Sequence, residues 1–364
     1  MRYLCQSCSK EWDYPIDYCI FCGKKISRMN VSKYTVEDIV QVFVPSTDYP
    51  ITPYYVLLLS DGNGFYKFQK TFQNYRIGQL FNSGENLREK FTIGVIGSGV
   101  TGKGIIEIAL KAGLRVIFKS RRDANIRSAL ETISRNLSKS LPPEERDRIL
   151  NNVTPTTSYE LFGNADFVIE SVIENFQIKK EIFQKLDSIC EPDSILASNT
   201  SSLSISKLAD GLTYPERVVG LHFFNPIPRM QLLELVITQH TSNNVIEKCR
   251  DLANILNKVP IEVKDEPGFI VNRLLFIMIS EACNLLEAGT GKIEDIDRAM
   301  KLGANHSMGP FELADLIGLD LCLEIIENLN HSSDKNKLIA IKILKEYLER
   351  GNLGRKTNKG FYNY

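Results

Sequence analysis

The stretch IGVIGSGVTGKGI, residues 93–105, decides how the larger part of this chain folds. Its first half is an unbroken run of small and β-branched apolar residues, the composition of a strand buried on both faces. Its second half spaces three glycines as Gly97-x-Gly99-x-x-Gly102, and a helical pattern runs from there over 100–112. A strand, a glycine turn and a helix in that order aim backbone N–H groups and a helix N-terminus at one point, where a pyrophosphate is held. Gly97 permits the tight turn, Gly99 the close approach of a ligand to the backbone, and Gly102 the close packing of helix on strand. These three are the first candidate dinucleotide-binding residues.

Working outward, the runs LRVIF, ADFVIESV, SILAS and RVVGLHFF read as further strands, separated by helical patterns that include 123–139 and 176–189. Strands alternating with helices predict a parallel, doubly wound sheet, so residues 91–266 are expected to form an α/β Rossmann-type domain. Beyond about residue 266 strand signals stop. Helical patterns at 268–288, 293–301, 310–328 and 334–349 predict an all-α C-terminal domain over 267–364. Upstream, residues 34–82 alternate apolar and polar in short runs around the turn Asp61-Gly62-Asn63-Gly64, and residues 31–85 are expected to form a small OB-like β-barrel.

The N-terminal 30 residues carry Cys5, Cys8, Cys19 and Cys22 as two C-x2-C pairs ten residues apart. Four thiolates at that spacing suit a tetrahedral structural zinc site, so a zinc ribbon is expected over residues 1–30. Cys190, Cys249, Cys283 and Cys322 are scattered singly in apolar contexts and read as reduced, inert core residues.

Lys and Arg number 44 and Asp and Glu 44, which argues against bulk affinity for nucleic acid or an anionic membrane. The longest apolar run, GFIVNRLLFIMISEACNLL, contains Asn272, Arg273 and Glu281 and does not suit a bilayer. The opening MRYLCQSC lacks the layout of a signal peptide, and a cytoplasmic protein is the expectation.

An acid usually ends the second strand of such a domain and grips the adenosine ribose. Here the sequence reads VIFKSRRD, with Ser120 in that place and Arg121 and Arg122 following. A carboxylate repels a 2′-phosphate, whereas a hydroxyl and two guanidiniums bind one, so NADP(H) is favoured over NAD(H). The alternative is a solvated basic turn in which Asp123 reaches the ribose.

The remaining chemistry converges on GLHFFNPIPRMQLLEL, residues 220–235. A histidine at a strand end is more often a core residue than a catalyst. His222, however, is accompanied by Glu234, by Ser201 in ASNTSSLSI and by Asn272 in KDEPGFIVNRLL. A dehydrogenase needs such a set: a base for the hydroxyl proton, a carboxylate to orient it, and donors for the carbonyl oxygen.

These motifs, with KLGANHSMGPFELAD and the closing GRKTNKGFY, occur in an order that resembles the L-3-hydroxyacyl-CoA dehydrogenase family over about residues 91–364. The resemblance implies a helical domain that forms a homodimer and reversible oxidation of (S)-3-hydroxyacyl-CoA to 3-oxoacyl-CoA. It implies that His222 is the general base, Glu234 its paired carboxylate, and Ser201 and Asn272 the groups that bind the substrate oxygen. It also places Glu174, Lys179, Ser201, Asn225 and Lys356 near the dinucleotide. Ser120 departs from the family's usual acid. The helix after it is short, so no CoA-binding positions carry over.

Residues 1–85, through TPYYVLLLSDGNGFYKFQKTFQNYRIGQ, resemble the zinc ribbon and OB-type barrel of acyl-CoA-handling proteins that associate with thiolases. That likeness implies docking to a thiolase or another acyl-CoA enzyme. Nucleic-acid binding is disfavoured, because residues 1–90 hold eleven Lys and Arg against nine Asp and Glu with no basic stripe. Helix 268–288 is apolar around most of its circumference and is read as part of a dimer interface. The competing readings are a dinucleotide-binding scaffold without turnover, and a dehydrogenase of free β-hydroxy acids.

Overall fold

The computed structural model describes residues 91–331 and 341–364 continuously. Before residue 91 it describes only 2–4, 11–12, 27–29, 33–42, 54–60, 62, 66–71, 76–78 and 80–82. The chain divides into two compact units, residues 1–91 with 112–114, and the rest.

In the first unit, β1 (Arg2–Leu4), β2 (Glu11–Trp12) and β3 (Ser27–Met29) pair antiparallel in the order β2-β1-β3. Cys5, Cys8, Cys19 and Cys22 lie outside the described residues. The alternating runs form β4 (Lys33–Val42), β5 (Tyr54–Ser60), β6 (Tyr66–Thr71) and β7 (Leu80–Asn82), antiparallel in the order β6-β5-β4-β7. Period-two alternation buries Tyr34, Val36, Leu57 and Leu59 on one face. Among the described residues these strands make an open four-stranded sheet rather than a closed barrel.

The second unit is built on β8 (Thr92–Ile96), every residue of which is buried. The chain continues through α1 (Val100–Lys111), β9 (Arg115–Lys119), α2 (Asp123–Leu137), α3 (Pro143–Leu150) and β10 (Val153–Thr156). It then crosses to the other side of β8 through β11 (Phe167–Glu170), α4 (Phe176–Ile189), β12 (Ile195–Ser198), α5 (Ile205–Ala209) and β13 (Val218–Phe223). β14 (Leu232–Ile237), α6 (Asn243–Ile255) and β15 (Val259–Lys264) complete the sheet.

The strand order is β10-β9-β8-β11-β12-β13-β14-β15. The chain winds one way from β8 to β10 and the other way from β11, so β8 and β11 flank the switch point, outside whose carboxyl ends ligands bind. The sheet departs from the all-parallel expectation at one edge. β13 and β14 are antiparallel, and β15 follows β14 in the reversed direction. A connection of only eight residues between β13 and β14 is too short for a parallel crossover, which needs a dozen or more.

Among the described residues five α-helices follow: α7 (Val271–Glu287), α8 (Ile293–Gly303), α9 (Pro310–Ile317), α10 (Leu319–His331) and α11 (Ile341–Glu349). The pattern at 310–328 is two helices, because Gly318 between them takes a φ of 104°. Their shared core includes Phe276, Ile279, Phe311, Leu319, Ile326 and Leu344. Buried Asp297 accepts hydrogen bonds from the N–H groups of Phe311 and Glu312, satisfying the free donors at the start of α9. Among the described residues no helix is long and apolar enough to cross a membrane.

Candidate active site

The three glycines of the turn face different surroundings. Gly97 has a φ of 125°, and a Cβ built there would lie 2.1 Å from the Ser171 carbonyl oxygen on the neighbouring strand's exit. At Gly102 a Cβ would lie 2.2 Å from the Gly97 oxygen, so this glycine lets α1 close onto the turn. Around Gly99 a Cβ would meet nothing within 4 Å. Gly99 instead borders a cleft of about 630 Å³. That open space against backbone at a helix N-terminus fits the pyrophosphate of a dinucleotide. The same cleft is walled by Ser120, Arg121, Glu174, Ser201, His222 and Asn225, and α10 contributes Leu321, Glu324 and Ile325.

His222 and Glu234 are directly opposed across the antiparallel β13–β14 pair. This register puts both side chains on one face of the sheet, and His222 Nδ1 stands 2.7 Å from Glu234 Oε2. The second carboxylate oxygen, Oε1, accepts the N–H groups of Ile270 at 3.1 Å and Val271 at 3.0 Å, at the beginning of α7. Burial of Glu234 pushes its pKa up, but the His222 hydrogen bond, the Val271 N–H, the charge of His222 and the Ile270 N–H together hold it below the ordinary value. The carboxylate is therefore ionised at neutral pH. An ionised acceptor at Nδ1 requires the proton there, which leaves the lone pair of the neutral ring on Nε2. The rings of Phe224 and Phe269 flank the imidazole, with centroids at 4.4 and 5.7 Å.

Asn272 lies in the first turn of α7, and its Nδ2 donates to the Ser201 carbonyl oxygen at 3.5 Å. Ser201 in turn donates its N–H to Glu174 Oε1 at 3.0 Å. Ser202 Oγ bonds the same oxygen at 3.1 Å. Burial raises the Glu174 pKa, and the Lys179 charge with the Thr200 and Ser201 hydrogen bonds more than offsets it, holding the group below its ordinary range.

Lys179 is completely enclosed and does not border the cleft. Its ammonium bonds both oxygens of buried Glu170, at 2.8 and 3.0 Å, and stands 3.3 Å from Glu174. It reaches the site through Glu174. Glu170, which the sequence reading passes over inside a buried strand, also accepts from Val172 N–H and Ser198 Oγ. Asn199 is a second omission: it lines the cleft and its Oδ1 accepts the Phe223 N–H at 2.9 Å, fixing the exit of β13 beside His222. The ASNTSS motif already carried that signal.

At the far end of β9, Ser120 is buried and its hydroxyl lies 3.0 Å from that of Ser98. Arg121 borders the cleft, whereas Arg122 precedes α2 as an exposed residue and is not among the cleft walls. Asn225 Nδ2 bonds Thr101 Oγ1 at 3.3 Å, tying the turn after His222 to α1. Lys356 pairs with Asp320 at the start of α10 and does not border the cleft.

Comparison with known proteins places the chain in a family. The family model of the 3-hydroxyacyl-CoA dehydrogenase NAD binding domain matches residues 92–266, and that of the C-terminal domain matches 268–364. A 3-hydroxybutyryl-CoA dehydrogenase of Clostridioides difficile is 42% identical over 277 residues, covering 75% of this chain and 99% of the relative. The mitochondrial hydroxyacyl-coenzyme A dehydrogenase of Homo sapiens is 38% identical over 282 residues, 74% of this chain and 90% of its own. Among solved structures, the (S)-3-hydroxybutyryl-CoA dehydrogenase of Ralstonia eutropha superposes with a TM-score of 0.72 at 38% identity, covering 75% of this chain and 98% of that one.

Proposed function

Because this chain belongs to the 3-hydroxyacyl-CoA dehydrogenase family, we propose that it interconverts (S)-3-hydroxyacyl-CoA and 3-oxoacyl-CoA with a nicotinamide dinucleotide. The observation that carries the proposal is the 2.7 Å contact of His222 with an ionised Glu234, in the wall of the cleft that the Gly99 turn opens onto. When bound, the dinucleotide supplies the acceptor for the C3 hydride in oxidation and its donor in reduction. His222 Nε2 takes the proton of the substrate hydroxyl as the C3–H pair of electrons departs and the C=O bond forms. Glu234 stabilises the imidazolium so produced. In reduction the imidazolium returns that proton to the 3-oxo oxygen. Ser201 and Asn272, brought together at the mouth of α7, hold the substrate oxygen in place.

The nucleotide is NADP(H) in preference to NAD(H), since Ser120 stands where a ribose-binding acid would repel a 2′-phosphate and Arg121 walls the cleft beside it. Cys5, Cys8, Cys19 and Cys22 hold a structural zinc, a reading that rests on their spacing. The N-terminal unit serves to dock a thiolase or another acyl-CoA enzyme. Helix α7 forms the homodimer face, supported by the exposure of the apolar side chains Leu274 (64%) and Ile277 (41%).

Steady-state kinetics with acetoacetyl-CoA, comparing NADPH with NADH by the absorbance of the reduced nicotinamide, test the reading. His222→Ala is expected to lower kcat by about 10²- to 10⁴-fold while dinucleotide binding persists. Turnover near that of the unaltered chain would make His222 a structural residue.

A further inference from the structure

Three cations meet in the cleft where β9 ends: Lys119, Arg121 and, from α4, Lys185. Lys119 Nζ stands 4.0 Å from the centroid of the Tyr159 ring and Lys185 Nζ 5.6 Å from the same centroid. Two ammonium groups therefore share one aromatic ring, and Arg121 is close enough to add its charge. None of the three has a carboxylate within ion-pair distance among the described residues. Glu160 acts on Lys119 only from further away, and Glu181 borders the cleft without pairing to any of them.

Such a cluster is costly. Lys119 is 5% exposed, and burial, then Lys185, then Arg121 all disfavour its charge. An anion seated among the three would relieve their mutual repulsion and replace the water that burial removes. The pyrophosphate is not that anion, because its site is the glycine turn at the end of β8, one strand away. The end of the second strand is where the adenosine ribose lies in a doubly wound sheet. The half-buried Ser98–Ser120 hydroxyl pair stands there in place of a carboxylate.

We propose that Lys119, Arg121 and Lys185 form a pocket for a phosphate monoester, the 2′-phosphate of the adenosine half of the nucleotide, with Ser120 as a hydroxyl donor. Arg122, adjacent in sequence, takes no part. The inference rests on the dinucleotide reading of the cleft, and it identifies which side chains discriminate the two cofactors.

Calorimetric titration with adenosine 2′,5′-bisphosphate and adenosine 5′-phosphate tests the pocket without requiring turnover. The bisphosphate should bind at least about tenfold more tightly, since hydrogen bonds to charged groups are worth roughly that or more. Lys185→Gln, at an exposed helix position, should shrink the ratio by about tenfold. Arg121→Gln should do the same, Lys185→Arg should restore most of it, and added salt should reduce it in the unaltered chain. Equal affinities for the two nucleotides, or a ratio unmoved in both glutamine variants, would overturn the pocket and leave the dehydrogenase reading standing. Failure of both nucleotides to bind would overturn the dinucleotide reading and the pocket with it.

Discussion

Glu234→Gln changes one atom and no shape, so its consequences follow from the hydrogen bonds of a single carboxylate. The amide oxygen of the substituted side chain would keep the place of Oε1, which accepts two backbone N–H groups, because an NH2 there would face two donors. The NH2 then faces His222 Nδ1 and donates to it, which moves the ring proton to Nε2, the nitrogen proposed to accept the substrate's proton. The charge is lost as well. With charge centres about 4 Å apart and an effective dielectric constant near 20, the carboxylate stabilises a full imidazolium by about 4 kcal/mol, or roughly 10³-fold in rate. A transition state in which the proton is half transferred retains about half of that, so kcat should fall between about 30- and 1000-fold. The specificity constant kcat/KM must fall by the same factor in both directions, since the variant cannot change the overall equilibrium. The assay is reduced-nicotinamide absorbance with acetoacetyl-CoA in one direction and 3-hydroxybutyryl-CoA in the other. The acid side offers a second readout. Glu234 and Glu174 are both held below the ordinary carboxylate value of 4.5, so the stability they contribute is complete above that pH and is lost as pH falls through their lower folded-state values. In the variant the Glu234 share of that acid sensitivity should vanish. Turnover within about threefold of the unaltered chain would refute the argument, because neither tautomer nor charge would then matter.

The glycines of the turn should separate folding from binding. Gly102→Ala places a Cβ against the Gly97 oxygen and should lower the melting temperature by several degrees, whereas Gly99→Val enters open space and should leave melting unchanged while abolishing nucleotide binding in calorimetry. A stable Gly102→Ala that binds normally would contradict that division. Lys258 is buried, its ammonium donates to the carbonyl oxygens of Ile227 and Met230, and burial pushes its pKa down to about 8. Its folded-state value lies below the unfolded one, so the penalty for burying its charge is present below pH 8 and is relieved as pH rises from there. Urea unfolding should therefore show the unaltered chain gaining stability relative to Lys258→Met above pH 8, and a constant difference between the two would refute the assignment.

Local rules suffice wherever a signal lies within one short window. The buried strand, the glycine turn and α1 are contiguous, so periodicity and glycine spacing reveal them directly. The pairing of His222 with Glu234 is a different kind of inference. The twelve-residue spacing says nothing of contact until LLELVI is seen to be a strand returning antiparallel beside β13, and that run, buried at its centre, lacks the alternation by which a strand is recognised. β15 and β10 escape notice for related reasons, one opening on Val-Pro and the other containing Pro155 at the sheet's edge. The resemblance places Lys179 near the dinucleotide, but nothing in a sequence distinguishes a lysine that reaches a ligand from one sealed, as here, against two carboxylates. Lys119 and Lys185 lie 66 positions apart on different elements and meet only because the sheet brings α4 alongside the end of β9.

Leu321, Glu324 and Ile325 of α10 border the same hollow as the glycine turn more than 200 positions earlier. The hollow proposed for the nucleotide is thus finished by the last third of the polypeptide. A ribosome that has released only the α/β layer has made a receptacle still missing one wall, and a chain cut after that layer would keep the glycine fingerprint while gripping its cofactor loosely. Occupancy, conversely, should bind the two layers into one cooperative melting event, so that saturating nucleotide raises the unfolding temperature of the helices as much as that of the sheet.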